Sequence, residues 1–145
     1  MKAVAQRVKK SSLSVDGKLI SEIGAGLTVF LGIKQGDTSA QAERMAYKIA
    51  NLRVFEDDCG KMNLSVKDIG GEVLLVSQFT LYGDCSHGNR PSFSTAEEPK
   101  KANALYEYCA EKLRENGVPV KQGVFGADMQ ILQHNDGPVS VILEL

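Results

Sequence analysis

The sequence predicts an α+β fold in which a barrel-like, mostly antiparallel β-sheet carries two main helices. Three observations lead to this prediction. An Asp-Gly pair at 16–17 separates two mixed apolar segments, residues 73–76 form a short continuous apolar run, and two other segments repeat apolar residues every three or four positions. A chain of 145 residues suits one hydrophobic core, so residues 1–145 are expected to form a single domain.

The first three strands are predicted from turn chemistry and alternation. Asp16-Gly17 favours a tight hairpin turn, because such a turn needs positive φ at its central residues. Strands are therefore expected over about residues 2–14 and 18–24. Apolar and other residues then alternate over 27–33, which predicts a third strand.

The middle of the chain predicts a helix, a short strand and a turn. Thr38 and Gln41 have the spacing of a capping box, with Asp37 as a rival N-cap. Small and apolar residues then fall on one helical face, which predicts a helix over 38–52. Residues 53–55 form a candidate strand, and residues 57–61 a turn.

The run at 73–76 is rich in β-branched residues and predicts a strand buried on both faces, which leads directly into Ser77. Residues 83–98 are rich in Gly, Ser, Asn and Pro and are expected to form a loop. Pro99 fits the first position of a second helix, which Gly117 ends.

Three further strands are expected near the C-terminus. They are predicted over 118–124, 129–134 and 139–145, with the Asn-Asp-Gly-Pro-Val segment at 135–139 as a turn between the last two. The predicted order is therefore β-β-β-α-β-β-α-β-β-β. No repeat or linker interrupts it.

Charge and composition exclude several classes of protein. Seventeen Lys and Arg residues against eighteen Asp and Glu leave a net charge of -1, which disfavours long contacts with DNA or RNA but allows a small contact with one RNA end. The N-terminus has no signal-peptide pattern, and no apolar run is long enough to span a membrane. Three widely spaced cysteines have no metal-binding spacing, so reduced thiols in a cytoplasmic protein are expected.

The motif search leaves one candidate for chemistry. Gly24-Ala25-Gly26 lacks the third glycine of a dinucleotide fingerprint and precedes a strand, so we interpret it as a turn. With only His87 and His134 available, both in plain surface or core contexts, a histidine triad is disfavoured. The segment 77–81 (Ser-Gln-Phe-Thr-Leu) instead places hydroxyl and amide groups at the end of a buried strand. These groups either act on a substrate or form hydrogen bonds with backbone N–H and C=O groups where the strand ends.

Two segments together identify a resemblance. The sequence SQFTL at 77–81 and the sequence NDGPVS at 135–140 resemble the two signatures of the D-aminoacyl-tRNA deacylase family, the second of which usually ends in Thr rather than Ser. The similarity runs from end to end, and it includes residues 1–8, 51–57, 60–65, 89–94 and 125–129.

The resemblance implies an enzyme that hydrolyses the ester between a D-amino acid and the 3′-terminal adenosine of tRNA. Because glycine has no side chain to clash with a chirality filter, we expect glycyl-tRNA to be cleaved as well. It implies a homodimer with active sites at the subunit interface, and neither metal nor organic cofactor. The residues that it places around the ester are Ser77, Gln78, Phe79 and Thr80, with Thr80 as the family's proposed nucleophile. A second mechanism, in which the ribose 2′-hydroxyl activates water, stays open.

The same resemblance assigns residues to substrate recognition. It implies a cis peptide bond between Gly137 and Pro138, which are inserted into the site of the partner subunit. Arg7 either braces this turn or is a surface arginine on an edge strand. The remaining candidates, Phe125, Ala127 and Met129, either pack around the terminal adenine or belong to the core.

Two other classes of function stay as alternatives. A non-enzymatic module that binds an RNA end or another partner would use the same fold without hydrolysis. An unrelated esterase would be expected to show a nucleophile elbow or a triad, and the sequence has neither.

Overall fold

The computed structural model describes all 145 residues as eight strands and two main helices. In chain order they are β1 (Lys2–Val15), β2 (Lys18–Ile23), β3 (Gly26–Gly32), α1 (Ser39–Ala50), β4 (Phe55–Glu56), β5 (Met62–Leu64), β6 (Glu72–Ser77), α2 (Pro99–Glu115), β7 (Val120–Gln122) and β8 (Gln130–Glu144). A 3-10 helix, Phe79–Tyr82, follows β6 directly.

The main sheet has the strand order β2-β1-β3-β6-β7, and β8 pairs with the other side of β1. All pairs that involve β1 are antiparallel, whereas β3, β6 and β7 run parallel to one another. The two ends of this order approach each other, because Ser21 Oγ donates to the Gln122 carbonyl at 2.6 Å and Lys121 Nζ donates to the Glu22 carbonyl at 3.0 Å. The sheet is therefore nearly closed, which confirms the barrel-like prediction.

Strand β6 is buried on both faces, as its continuous apolar run predicts. Val73 and Leu75 belong to the large core between the sheet and the two helices. Leu74 and Val76 point to the opposite face, where they pack with a smaller cluster that includes Leu13. Successive side chains of a strand alternate between faces, so this one strand packs into both cores. The packing on both faces fixes the position of its carboxyl end.

Both helices begin where the sequence predicts. Thr38 N donates to Gln41 Oε1 at 2.8 Å, as in the capping box. Asp37, the rival N-cap, instead accepts from Lys34 N at 2.7 Å and from the Met1 ammonium group at 2.8 Å. Pro99 occupies the first position of α2, behind a Glu98 cap.

The prediction of two separate C-terminal strands joined by a turn is wrong. Residues 130–144 form one strand that runs antiparallel to β1, so the chain does not reverse at the Gly-Pro segment. Gln6 pairs with Ser140 and Val8 pairs with Asn135, which leaves residues 136–139 opposite Arg7 alone. These four residues, hereafter the Gly-Pro bulge, protrude from the ladder because β1 pairs with the strand on both sides of them.

Smaller differences lie in short elements. The strand predicted at 53–55 is Phe55–Glu56, and it pairs with β5, which the sequence analysis missed. The strand predicted at 118–124 is limited to Val120–Gln122. The three cysteines are free thiols, and no helix has the length and apolar character needed to cross a membrane.

Candidate active site

A cavity lies where β6 ends, beside the start of α2 and the segment that precedes β8. Its volume is about 590 Å³, within the range typical of small-molecule sites. Most of its lining is apolar. The lining residues are Leu31, Ile33, Val76, Ser77, Gln78, Phe79, Phe93, Ala96, Glu97, Pro99, Ala102, Tyr106, Phe125, Gly126, Ala127, Asp128, Met129 and Ile131.

The polar part of the cavity is built by the end of β6. Ser77 is the last residue of the strand, and Gln78 N still donates to the Leu31 carbonyl at 2.8 Å. The chain then turns into the 3-10 helix, so Phe79 and Thr80 lie at a helical start, where the first N–H groups have no intrahelical acceptor. Thr80 is exposed, and its Oγ1 accepts a hydrogen bond from Gln78 Nε2.

Aromatic side chains form the walls. Phe79 is 57% exposed, and its ring meets that of Phe93 edge to face with centroids 5.1 Å apart. On the inner side, the Tyr106 and Phe125 ring centroids are 6.0 Å apart. Phe79 thus presents an apolar surface to solvent, whereas Tyr106 and Phe125 pack against each other inside the cavity wall.

Tyr106 ties α2 to the strand that delivers Ser77. Its Oη donates to the Leu75 carbonyl at 2.8 Å, and Gly123 N donates to the same oxygen at 3.1 Å. Burial raises the pKa of Tyr106 to about 12, because a low-dielectric environment disfavours the phenolate. The hydroxyl is therefore a permanent donor at neutral pH and holds the carboxyl end of β6 in place.

Two carboxylates and no histidine line the cavity. Lys101 Nζ donates to Glu97 at 2.6 Å, and this hydrogen bond lowers the pKa of Glu97, which is therefore ionised at neutral pH. Asp128 also lines the cavity and is exposed. The structure contains no group of three or more His, Cys, Asp and Glu side chains that could hold a metal ion.

Glycine is required at position 137 of the Gly-Pro bulge. The peptide bond between Gly137 and Pro138 is cis. Gly137 has a φ of 132°, and a Cβ there would lie 2.7 Å from Val139 N and 2.9 Å from Val139 Cγ2. Both the backbone conformation and the available space therefore exclude an ordinary side chain.

Arg7 lies beneath the Gly-Pro bulge and is buried. Its Nε donates to the Asp136 carbonyl at 3.1 Å, and its Nη1 donates to the Val54 carbonyl at 2.6 Å. The guanidinium also lies 3.9 Å from a Glu56 carboxylate oxygen. Its planar fork of donors thus connects the bulge to the loop that precedes β4, which is not the arrangement of a surface arginine on an edge strand.

The sequence-predicted residues fall into two groups. The cavity unites Ser77, Gln78 and Phe79 with the segment that carries Phe125, Ala127 and Met129, and Thr80 adjoins it through Gln78. Arg7, Gly137 and Pro138 do not line it. Gly137 lies six positions beyond Ile131 of the cavity, a span of about 20 Å in an extended strand.

Several lining residues were missed by the sequence analysis. Tyr106 lies among the buried residues of α2, which pack into the core. Phe93 lies in the long loop, within the segment 89–94 that contributes to the family resemblance. Neither position has a periodicity that distinguishes a cavity wall from ordinary packing, so only the tertiary contacts reveal them.

Comparisons with known proteins agree along the whole chain. The family model described as D-Tyr-tRNA(Tyr) deacylase matches residues 4–144. The D-aminoacyl-tRNA deacylase of Geobacter sp. (strain M21) is 55% identical over 99% of this chain and 97% of its own length. The D-aminoacyl-tRNA deacylase of Aquifex aeolicus (strain VF5) is 53% identical over the same shares.

Solved structures show the same fold. One, named c-Myc DNA Unwinding Element Binding Protein, superposes with a TM-score of 0.92 at 47% identity and covers 100% of this chain and 99% of its own. Another, named a probable eukaryotic D-amino acid tRNA deacylase, superposes with a TM-score of 0.85 over 99% and 98%. Its identity is 16%, so it supports the fold alone.

Proposed function

From the premise that this chain belongs to the D-Tyr-tRNA(Tyr) deacylase family, we propose that it hydrolyses the ester bond of D-aminoacyl-tRNA and releases the free D-amino acid and tRNA. The observation that carries this proposal is the cavity at the end of β6, where Ser77 and Gln78 face a mostly apolar space. Since tRNA is charged and used in the cytoplasm, that is where we expect the protein to act.

The substrate that fits the cavity is the aminoacylated 3′ end of tRNA. A volume of about 590 Å³ accepts a nucleoside with an attached amino acid, but not a duplex. Phe125, Ala127 and Met129 provide an apolar surface for the terminal adenine, and Ser77 and Gln78 lie on the side of the ester. A net charge of -1 agrees with a contact limited to one chain end.

Gly137 and Pro138, with Arg7 beneath them, do not line the cavity of their own chain, so they contribute to a cavity only in another copy of the chain. The Gly-Pro bulge lies too far along β8 from its own cavity to enter it. The outer edge of β8 has no pairing partner, and Leu132 and Ile142 on this strand are 78% and 67% exposed. An unpaired edge strand of fifteen residues with exposed apolar side chains favours association. We therefore propose a homodimer in which each bulge completes the partner's site.

The chemistry of the step requires little from the protein. Water attacks the ester carbonyl, the bond to the 3′-oxygen breaks, and that oxygen receives a proton. The N–H groups of Phe79 or Thr80 hold the negative charge that develops on the carbonyl oxygen. The Thr80 hydroxyl accepts from Gln78 Nε2 and has no hydrogen bond to a histidine or a carboxylate, so no base is positioned to activate it as a nucleophile. We therefore favour activation of the water by the ribose 2′-hydroxyl, with the protein supplying position.

The site selects D-aminoacyl-tRNA by excluding the L-aminoacyl ester. A site that accepts many D-amino acids cannot depend on contacts with their side chains, but a rigid backbone wall excludes the side chain of an L-residue. The Gly-Pro bulge suits this role because Arg7 holds it from below and Gly137 offers close approach without a Cβ. Glycine has no side chain to meet the wall, so glycyl-tRNA, including glycine mischarged on tRNA(Ala), is a further substrate.

A DNA-binding role is not favoured by the surface charge. One structural relative carries a DNA-element binding protein's name. In this chain, seventeen basic residues are matched by eighteen acidic ones, so no excess of positive charge is available for counterion release along a duplex.

The proposed activity is tested by incubation of the protein with D-Tyr-tRNA and L-Tyr-tRNA while deacylation is followed. The expected result is rapid loss of the D-ester and survival of the L-ester. Binding without hydrolysis would indicate a module that recognises an RNA end. Equal hydrolysis of both esters would indicate an esterase without chiral selection.

A further inference from the structure

A chain of three amide side chains joins the two ends of the Gly-Pro bulge. Gln133 Nε2 donates to Asn135 Oδ1 at 2.8 Å and to Gln6 Oε1 at 2.7 Å. Gln6 Nε2 then donates to Ser140 Oγ at 3.1 Å. Asn135 is the residue before the bulge and Ser140 is the residue after it. The three hydrogen bonds thus form a continuous bridge across its base.

The register of the strands explains why these side chains meet. Gln6 lies directly opposite Ser140, so their side chains leave the same face of the sheet. Gln133 and Asn135 are two residues apart on one strand and also share a face. The ladder pairs Asn135 with Val8 and Ser140 with Gln6, but the four residues between them have no partner on β1, so the bridge is a second restraint on the base of the bulge.

Arg7 and this bridge act on different parts of the bulge. Arg7 holds the first protruding residue through the Asp136 carbonyl. It has no hydrogen bond to the far end at Ser140, which depends on Gln6 for its side-chain contact. Without the bridge, the two ends are held by the ladder alone, and the unpaired backbone between them is less firmly restrained.

We propose that Gln6 and Gln133 are positioning residues that restrain the base of the Gly-Pro bulge and thereby sharpen the chiral selectivity of the reaction. The inference rests on the proposed function, because it assumes that the Gly-Pro bulge forms the wall that rejects L-amino acids. A shift of the wall admits the L-ester more readily while the end of β6, which carries the reaction, is untouched. Selectivity then falls more than the rate on D-aminoacyl-tRNA.

The test measures the ratio of the D-Tyr-tRNA and L-Tyr-tRNA deacylation rates in matched variants. Gln6→Met removes both the acceptor for Gln133 and the donor to Ser140, and Ser140→Ala removes the second of these bonds from the other side. Each variant is expected to lower the ratio by about three- to tenfold, on the scale of a lost hydrogen bond. The double variant is expected to lose no more than Gln6→Met alone, since Gln6→Met already breaks the contact with Ser140. Ser140→Thr keeps the hydroxyl, so its ratio of D-Tyr-tRNA to L-Tyr-tRNA deacylation rates is expected to equal that of the wild-type protein.

The matched control is Glu144→Ala, which removes a cross-strand contact with Lys2 on the same strand pair but away from the bulge. It is expected to leave the ratio unchanged. If the wild-type protein is selective and Gln6→Met is equally selective, the positioning role is wrong although the proposed function stands. If the wild-type protein shows no D-selective hydrolysis, the proposed function itself fails.

Discussion

Arg7 and Asp136 are joined twice. The Nε atom of Arg7 donates to the Asp136 carbonyl at 3.1 Å and lies 3.2 Å from the Asp136 carboxylate oxygen Oδ2. The Arg7 side chain is only 8% exposed, so water does not replace these contacts readily. This pair is what fixes the Gly-Pro bulge to the barrel.

Replacement of Arg7 by alanine is expected to lower the free energy of unfolding by about 2–4 kcal/mol, because the Asp136 and Val54 carbonyls lose a charged donor. Arg7→Lys is expected to recover only part of this, since an ammonium group cannot reproduce the planar fork. Denaturant unfolding measures the change. Lys9→Ala is the control: Lys9 approaches the same Asp136 at 3.7 Å but is 62% exposed, and its loss should cost less than about 0.5 kcal/mol. Equal effects of both variants would contradict the bracing role.

Substitution Gly137→Ala is expected to slow D-Tyr-tRNA deacylation by about a hundredfold, as a misplaced wall disturbs substrate position. The added Cβ has no room beside Val139, so the backbone of the bulge must move. Gly60→Ala is the control, because Gly60 also has positive φ, at 72°, but open space around it. It should lower stability by about 1–2 kcal/mol without a change in rate. Full activity of Gly137→Ala would show that the bulge has no role in the site.

Two deacylation rates distinguish a Thr80 nucleophile from activation of water by the ribose 2′-hydroxyl. If the 2′-hydroxyl activates the water, Thr80→Ala keeps the deacylation rate within about tenfold, and a tRNA ending in 2′-deoxyadenosine loses about a hundredfold or more with the wild-type protein. An inactive Thr80→Ala variant together with normal hydrolysis of the deoxy substrate would instead support a threonine nucleophile.

The raised pKa of Tyr106 is expected to make the free energy of unfolding depend on pH. Its pKa is raised by burial to about 12 in the folded protein and is about 10 in an unfolded chain. The folded state therefore retains a proton that the unfolded state loses, so the contribution is complete below pH 10 and is lost as the pH rises through 12.

The advantage of the wild-type protein over Tyr106→Phe in unfolding free energy should shrink by about 1.4 kcal/mol per pH unit between these values. Urea unfolding at several pH values measures the difference. Tyr47→Phe removes an exposed hydroxyl and controls for the loss of one tyrosine. A constant difference between the wild-type protein and Tyr106→Phe across the range would contradict the burial argument.

Much of the fold follows from local signals in the sequence. The Asp16-Gly17 hairpin, the capping box at Thr38 and the two-sided burial of residues 73–76 each depend on neighbouring residues, and each is confirmed. The continuity of β8 was not predicted, because Asn-Asp-Gly-Pro has the composition of a reversing turn. Only the pairing with β1 on both sides of the segment makes it a bulge.

The candidate site was predictable only in part for a similar reason. The polar end of β6 is visible in the sequence as a change from an apolar run to Ser77 and Gln78. The contact between Arg7 and residue 136 spans 129 positions, and the bridge through Gln133 and Gln6 spans 127. Contacts of this separation are set by the register of β1 against β8, which no local pattern specifies.

The central claim is that the cavity of one chain is completed by the Gly-Pro bulge of another. It is tested most directly by a mixed dimer of two inactive variants, Gly137→Ala, which disturbs the bulge, and Ala127→Phe, which fills the cavity. Two different tags allow the mixed dimer to be isolated, and native mass spectrometry confirms its composition. One of its two sites combines an intact cavity with an intact bulge, so D-Tyr-tRNA deacylation should return to about half of the wild-type rate. A verified mixed dimer as inactive as its two parents would show that each chain forms its own site, and would contradict the claim.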